Sequence, residues 1–162
     1  MNKSYEILII TKNTNGIIAR IMSLFNRRGY FVKKMTAGAT NIPGYARLTL
    51  TVDGDEEILD QIQKQVYKII DVVKVKIFPK TGVIRRELML IKVKSNAETR
   101  AQIVDIAKIY RGNVLDVGYN SVIVELTGDV EKLKGFVDMM ENYGILEIAK
   151  TGVLAMSRGE KM

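Results

Sequence analysis

An α+β chain built from two tandem βαββαβ units is the fold this 162-residue sequence predicts. Three observations predict it. Apolar runs of period two alternate with apolar stripes of period three to four. The order strand, helix, strand, strand, helix, strand is completed once before Pro79-Lys80-Thr81-Gly82, a turn-forming stretch, and then repeated. Each repeat is about 75 residues, small for a core but sufficient.

Tyr5–Ile10 reads as the first strand and Asn15–Arg28 as the first helix. In that helix Ile17, Ile18, Ile21, Met22, Leu24 and Phe25 mark one apolar stripe. Arg27-Arg28-Gly29 ends it, with cations at the negative end of the helix dipole and a glycine able to take a left-handed cap. Phe31–Ala39 and Tyr45–Val52 are strands joined by a loop holding Pro43-Gly44. The second of them alternates cleanly, with Ala46, Leu48, Leu50 and Val52 on a core face and Tyr45, Arg47, Thr49 and Thr51 on one that is wet or otherwise covered. Asp53-Gly54-Asp55 is a turn and helix cap, and Ile58, Leu59, Ile62, Val66 and Ile69 mark the second helix. Val72–Phe78 closes the unit.

The second unit opens with the strand Glu87–Val93. Ser95 or Asn96 can cap a helix bearing Ile103, Ile106, Ala107 and Tyr110. Asn113–Val117 and Val122–Thr127 form a hairpin across Gly118-Tyr119-Asn120. Gly128-Asp129 opens a helix with Val130, Leu133, Phe136, Val137 and Met140 in line, and Ile145–Ala149 is the last strand expected. This order is the split βαβ, or ferredoxin-like, arrangement. Expected limits are 1–79 and 84–162. Such units leave a sheet edge and one sheet face open, which favours dimerisation or docking.

Composition narrows the chemistry. With 47% hydrophobic and 27% charged residues the chain is globular. It has no cysteine and no histidine, which excludes disulfides, thiolate chemistry, His-dependent triads and the usual zinc sites. No apolar run approaches the roughly 20 residues of a membrane helix. MNKSYEILII is a poor match to a signal peptide, so a cytoplasmic location is expected. No GxxxxGK[ST], GxGxxG or G-x-S-x-G motif is present, so no catalytic or cofactor-binding residue is assigned. The acidic cluster Asp53, Asp55, Glu56 and Glu57 sits at a helix start and reads as capping, with a hard-cation site as the lesser alternative. Net charge is +7, of which residues 1–80 hold +6, from 13 Lys+Arg against 7 Asp+Glu. That half could attract nucleic acid or an acidic protein partner, though scattered lysines read first as a solvated surface, and the strands YARLTLTV and SVIVELTG lack the stacking aromatics of an RNA-binding module.

The turn Asn13-Thr14-Asn15-Gly16 is the candidate site. Gly16 lets the backbone approach a ligand, and the free N–H groups of the following helix favour an anion such as a carboxylate. An ordinary strand-to-helix turn would carry the same residues.

With RRGYF following that helix, the first unit resembles an ACT domain, an amino-acid-sensing module. The blocks KQVYKIIDVVKV (Lys64–Val75), RRELMLIKV (Arg85–Val93), YRGNVLDV (Tyr110–Val117) and AKTGVLAMSRG (Ala149–Gly159) extend the resemblance over nearly the whole chain. They are similar to the regulatory (small) subunit of acetolactate synthase, also called acetohydroxyacid synthase. The resemblance implies an N-terminal ACT domain, a second ferredoxin-like domain, and a non-catalytic protein that dimerises by side-by-side pairing of ACT domains. It implies activation of a catalytic (large) subunit carrying thiamine diphosphate, FAD and Mg²⁺, none of them bound by this chain. It further implies feedback inhibition of branched-chain amino-acid synthesis by valine or a related effector at the ACT–ACT interface. The effector motif falls on Asn13, Thr14, Asn15, Gly16, Ile17 and Ile18, with backbone amides near Gly16–Ile18 for the carboxylate and Ile17 and Ile18 as apolar surface. Across the interface the family's Gly-aromatic-Asn-Ile is Gly29-Tyr30-Phe31-Val32, which places Phe31 and Val32 in the site and a phenylalanine where the family has asparagine. The family's following Glu is Lys33, and its Asn-x-Pro-Gly turn is Asn-Thr-Asn-Gly here. A stand-alone ACT-type sensor acting on another enzyme or regulator is the rival reading.

Overall fold

The apolar stripes and alternations become helices and strands in the computed structural model, which describes residues 3–159. In chain order the elements are β1 (Lys3–Lys12), α1 (Ile17–Arg27), β2 (Val32–Ala39), β3 (Tyr45–Gly54), α2 (Glu56–Val66) and β4 (Val72–Ile77). They continue as β5 (Val83–Lys94), α3 (Arg100–Ile109), β6 (Asn113–Val117), β7 (Ser121–Gly128), α4 (Val130–Glu141), β8 (Ile145–Lys150) and β9 (Leu154–Ser157). The first sheet has the order β2-β3-β1-β4 and the second β6-β7-β5-β8, every neighbouring pair antiparallel. Two ferredoxin-like units of the predicted α+β class result.

In the first unit the inner face of the sheet meets one stripe of each helix. Ile7, Ile9, Leu48, Leu50 and Val52 are buried against Ile17, Ile21 and Phe25 of α1 and Leu59, Ile62 and Val66 of α2. Phe25 is fully buried, so truncating it to alanine would cost about 3–5 kcal/mol. The end of α1 is a Schellman cap. Gly29 takes φ +71°, its N–H donates to Asn26 O at 3.1 Å, and Tyr30 N–H donates to Phe25 O at 3.0 Å. The Phe25 and Tyr30 rings meet edge to face at 5.8 Å, the apolar contact that accompanies this cap. Asp55 caps α2, accepting from Ile58 N–H at 2.9 Å, while Asp53 turns away to Lys33 at 2.8 Å.

The second unit repeats the design, with Met89, Ile91, Val93, Val122, Val124 and Leu126 buried against Ile103, Ala107, Leu133, Phe136 and Met140. Asp129 caps α4, accepting from Lys132 N–H at 2.9 Å. α3 begins later than the cap signal implies. Asn96 Oδ1 accepts from Glu98 N–H and Thr99 N–H and so closes a turn ahead of the helix, while Ser95 is buried.

The boundary differs from the expected 1–79 and 84–162. One compact unit holds the residues up to Ile84 together with those from Val153 onward; the other is Arg85–Gly152. The reason is β9, a strand the alternation does not announce. It pairs with β5, whose start at Val83 lies four residues ahead of the expected Glu87. Its segment also crosses the outer face of the first sheet. Thr36 Oγ1 of β2 donates to Val153 O at 3.0 Å, Arg47 of β3 donates to Ala155 O, and Lys76 Nζ of β4 donates to Ser157 Oγ at 2.9 Å. Val153 and Ala155 are thereby buried with Leu8 and Phe78. The face holding Arg47, Thr49 and Thr51 is covered by the chain itself, and Thr49 is only 2% exposed.

Candidate functional site

Of the helices described, α1 is the one whose N-terminus meets neither a side-chain cap nor an Asx turn. Asp55, Asn96 and Asp129 serve the other three. Gly16 holds the cap position at φ +78° and ψ 5°, a left-handed conformation, with no side-chain hydrogen bond. Ile17 N–H donates to Thr14 O at 3.2 Å and Arg20 N–H to Gly16 O at 3.0 Å. Among the described residues, the N–H groups of Gly16, Ile18 and Ala19 meet no acceptor. The first turn of α1 holds no acidic residue, whereas α2 has Glu56 and Glu57 there and α4 has Glu131. The positive end of the α1 dipole therefore has neither a side-chain cap nor an acidic first-turn residue, and suits an anionic group. A Cβ built on Gly16 meets nothing within 4 Å, so the space in front of the turn is open.

The turn is braced from behind. Asn13 N–H donates to Gly44 O at 2.8 Å and Lys12 N–H to Asp71 O at 2.8 Å. Thr14 Oγ1 donates to Asp71 Oδ2 at 3.0 Å, and Arg20 pairs with the same oxygen at 3.2 Å. Asp71, Arg20 and Gly44 are thus supports that reading the sequence missed. Asp71 is 57 residues from Thr14, and only the β1–β4 pairing brings them together. Asn13, Asn15 and Gly16 are exposed.

Three of the expected site residues stand apart from the rest of the set. Ile17 is 2% exposed and packs into the core, so it anchors the helix and offers no side-chain surface; Ile18, at 38%, does. Phe31 and Val32 lie at the other end of α1, an 11-residue helix about 16 Å long. The register agrees. Lys12, which leads into the turn, pairs with Tyr45, while Val32 pairs with Val52 at the far end of β3. One copy of the chain brings Asn13–Ile18 together and leaves Phe31, 69% exposed, remote from them. β2 is moreover an edge strand.

The remaining polar groups do not form a second centre. Asp53 is held below the ordinary carboxylate range by hydrogen bonding to Lys33 first and Ser4 second. Lys33 thus serves as its partner at 2.8 Å. Among the described residues no three His, Cys, Asp or Glu side chains converge as metal ligands. No helix of the described residues is long and apolar enough to cross a membrane.

Comparison with known proteins fits this geometry. Residues 13–75 match the ACT domain family, and residues 86–159 match the family described as the small subunit of acetolactate synthase. A probable acetolactate synthase small subunit of Archaeoglobus fulgidus is 40% identical over 157 residues, covering 97% of this chain and 98% of that one. The chain belongs to the acetolactate synthase small-subunit family. The acetolactate synthase small subunit of Mycobacterium leprae is 35% identical over 98% of this chain and 94% of its own. The crystal structure of the small subunit from Thermotoga maritima superposes with a TM-score of 0.91 at 33% identity, covering 98% of this chain and 99% of that one. The small-subunit match spans β9 as well as the second unit, and the ACT match contains the whole Asn13–Ile18 turn with Phe31 and Val32.

Proposed function

We propose that this small subunit performs no catalysis itself, activates the catalytic (large) subunit of acetolactate synthase, and transmits feedback inhibition by valine or another branched-chain amino acid. The observation that carries the effector reading is the start of α1, with neither a side-chain cap nor an acidic first-turn residue, behind a left-handed Gly16. The effector carboxylate sits on the N–H groups of Gly16, Ile18 and Ala19. Ile18 lines its side chain, Asn13, Thr14 and Asn15 form the rim, and Ile17 locks the helix to the core beneath. Phe31 and Val32 come from a second copy. Side-by-side pairing of two first units along their edge strands in antiparallel fashion brings one copy's β2 start to the other's α1 start, which the 16 Å separation within one copy requires. The homodimer and the effector site are then one feature. Thiamine diphosphate, FAD and Mg²⁺ belong to the catalytic partner, and the assembly works in the cytoplasm.

Inhibition follows if the effector binds one of two arrangements of the paired domains better than the other, since equal affinity shifts nothing. The experiment is acetolactate formation by the catalytic subunit with and without this chain, repeated across valine, leucine and isoleucine, with calorimetry on the chain alone. Activation abolished by one of these amino acids, together with saturable binding of it, is the expected result. No change in the partner's activity would instead favour an ACT sensor for a different enzyme.

A further inference from the structure

The outer face of the first sheet is basic, and the segment laid over it turns apolar side chains outward. Register places Arg47 and Lys74 on either side of Ile10, and Thr49 and Lys76 on either side of Leu8. Leu8 and Ile10 are the β1 side chains that pack under Val153 and Ala155. Arg47 and Lys76 hold the crossing segment by Ala155 O and Ser157 Oγ, and Arg158 follows directly. Among the described residues none of Arg47, Lys74 and Arg158 pairs with a carboxylate. Burial also draws the Arg47 guanidinium below its ordinary value.

The apolar half of the pattern alternates along β9. Val153 and Ala155 point in, while Leu154 and Met156 are 56% and 63% exposed; Ile84, on the strand that pairs with β9, is 40% exposed. An apolar ridge flanked by unpaired cations is therefore fixed to the first unit. Charge is divided in the same way. The residues of that unit, 1–84 and 153–162, carry 15 Lys+Arg against 8 Asp+Glu, a net +7, while residues 85–152 carry ten of each and are neutral. The second unit has the same topology, and its net charge supplies no comparable field.

We infer that Leu154, Met156 and Ile84, ringed by Lys74, Lys76 and Arg158, form the surface by which this small subunit docks on an apolar patch of the catalytic subunit rimmed with carboxylates. The inference rests on the proposed role as that subunit's activator and names the contact. A protein suits this ridge better than a nucleic acid, because an outward leucine and methionine gain from dehydration by another apolar surface while phosphates gain nothing from them. The cations speed encounter and fix orientation, and the ridge supplies the buried centre. Side-by-side pairing uses a sheet edge and leaves this face free.

The test titrates the purified catalytic subunit with small subunit and reads the concentration giving half-maximal activation. Failure of the parent chain to activate at all would remove the proposed function before any variant is used. With the parent active, the pairs L154D/M156D and K74E/R158E should each raise the half-activation concentration roughly tenfold or more, a factor expected for residues central to an interface. Valine binding by calorimetry and thermal stability should stay at parent values, because all four side chains lie away from the Asn13–Gly16 turn. Raising salt from about 50 to about 500 mM should weaken the parent complex and affect K74E/R158E less. Either pair activating within twofold of the parent, or a parent complex indifferent to salt, overturns the assignment. So would retardation of single-stranded RNA by the parent that K74E/R158E abolishes while activation persists.

Discussion

Replacing Gly16 separates the cost of the turn from its use. Gly16 sits at φ +78°, where an L side chain costs about 1–2 kcal/mol, and a β-branched one up to about 3 kcal/mol. Crowding adds nothing, because a Cβ there meets no atom within 4 Å. The expected loss for Gly16→Val is therefore about 1–3 kcal/mol, or roughly 4–8 °C per kcal/mol for a domain of this size. Gly16→Asn should lose less than half of that, since asparagine tolerates the left-handed region. Both side chains project into the open space where the proposed carboxylate sits. Each N–H bond to a carboxylate contributes about 1.5–3 kcal/mol, so losing one weakens the effector by about ten- to 150-fold. Thermal unfolding gives the stability of each variant, calorimetry with valine gives its affinity, and activation of the catalytic subunit shows that the fold is intact. The two variants should differ in stability and agree in effector loss. If Gly16→Asn and Gly16→Val bind valine as the parent does, the turn is a turn only, and the effector lies elsewhere.

Other expectations are simpler to state. Phe31→Asn puts a polar group at the proposed interface and should tighten valine in the proposed dimer, read as a lower inhibitory concentration; a weaker response would remove Phe31 from the site. Phe78→Ala, at a side chain 2% exposed beneath the crossing segment, should cost about 3–5 kcal/mol, measured by denaturant unfolding. Asp53 is depressed in the folded state, so it stabilises above its unfolded pKa of about 4, and that contribution is lost as pH falls through its lower folded value. Asp53→Asn should accordingly be less stable than the parent at pH 7, with the difference closing in acid; unfolding midpoints across pH decide it. The isolated chain should form no acetolactate and take up neither thiamine diphosphate nor FAD, checked by turnover and by equilibrium dialysis.

Local patterns made most of the fold legible. The Ala46–Val52 alternation, the α1 stripe ending in Gly29, and the Asp55 and Asp129 caps are signals carried within a few residues, and each stands where the spacing put it. The turn at Asn13–Gly16 was legible for the same reason. What escaped was long-range. β9 is four residues with small Ala155 between Leu154 and Met156, and its partners Thr36, Arg47 and Lys76 are far away in the chain. Ile17 was misjudged because adjacent apolar residues at a helix start do not tell which one turns inward; its burial is set by the sheet beneath. Phe31 could be assigned through resemblance alone, since within one copy it lies remote from Asn13–Ile18.

The crossing of the first sheet by Val153–Ser157 also sets an order on the birth of the molecule. The first unit is made first, yet its outer face stays bare until residues 85–152 have been synthesised and the strand beyond them emerges. At about 5–20 residues per second that delay is roughly 3–14 s. The second unit, contiguous in the chain, needs no such wait and is the one free to fold as soon as it clears the ribosome. Until then Leu8, Ile10 and Phe78 lack the cover that Val153 and Ala155 give them in the finished chain.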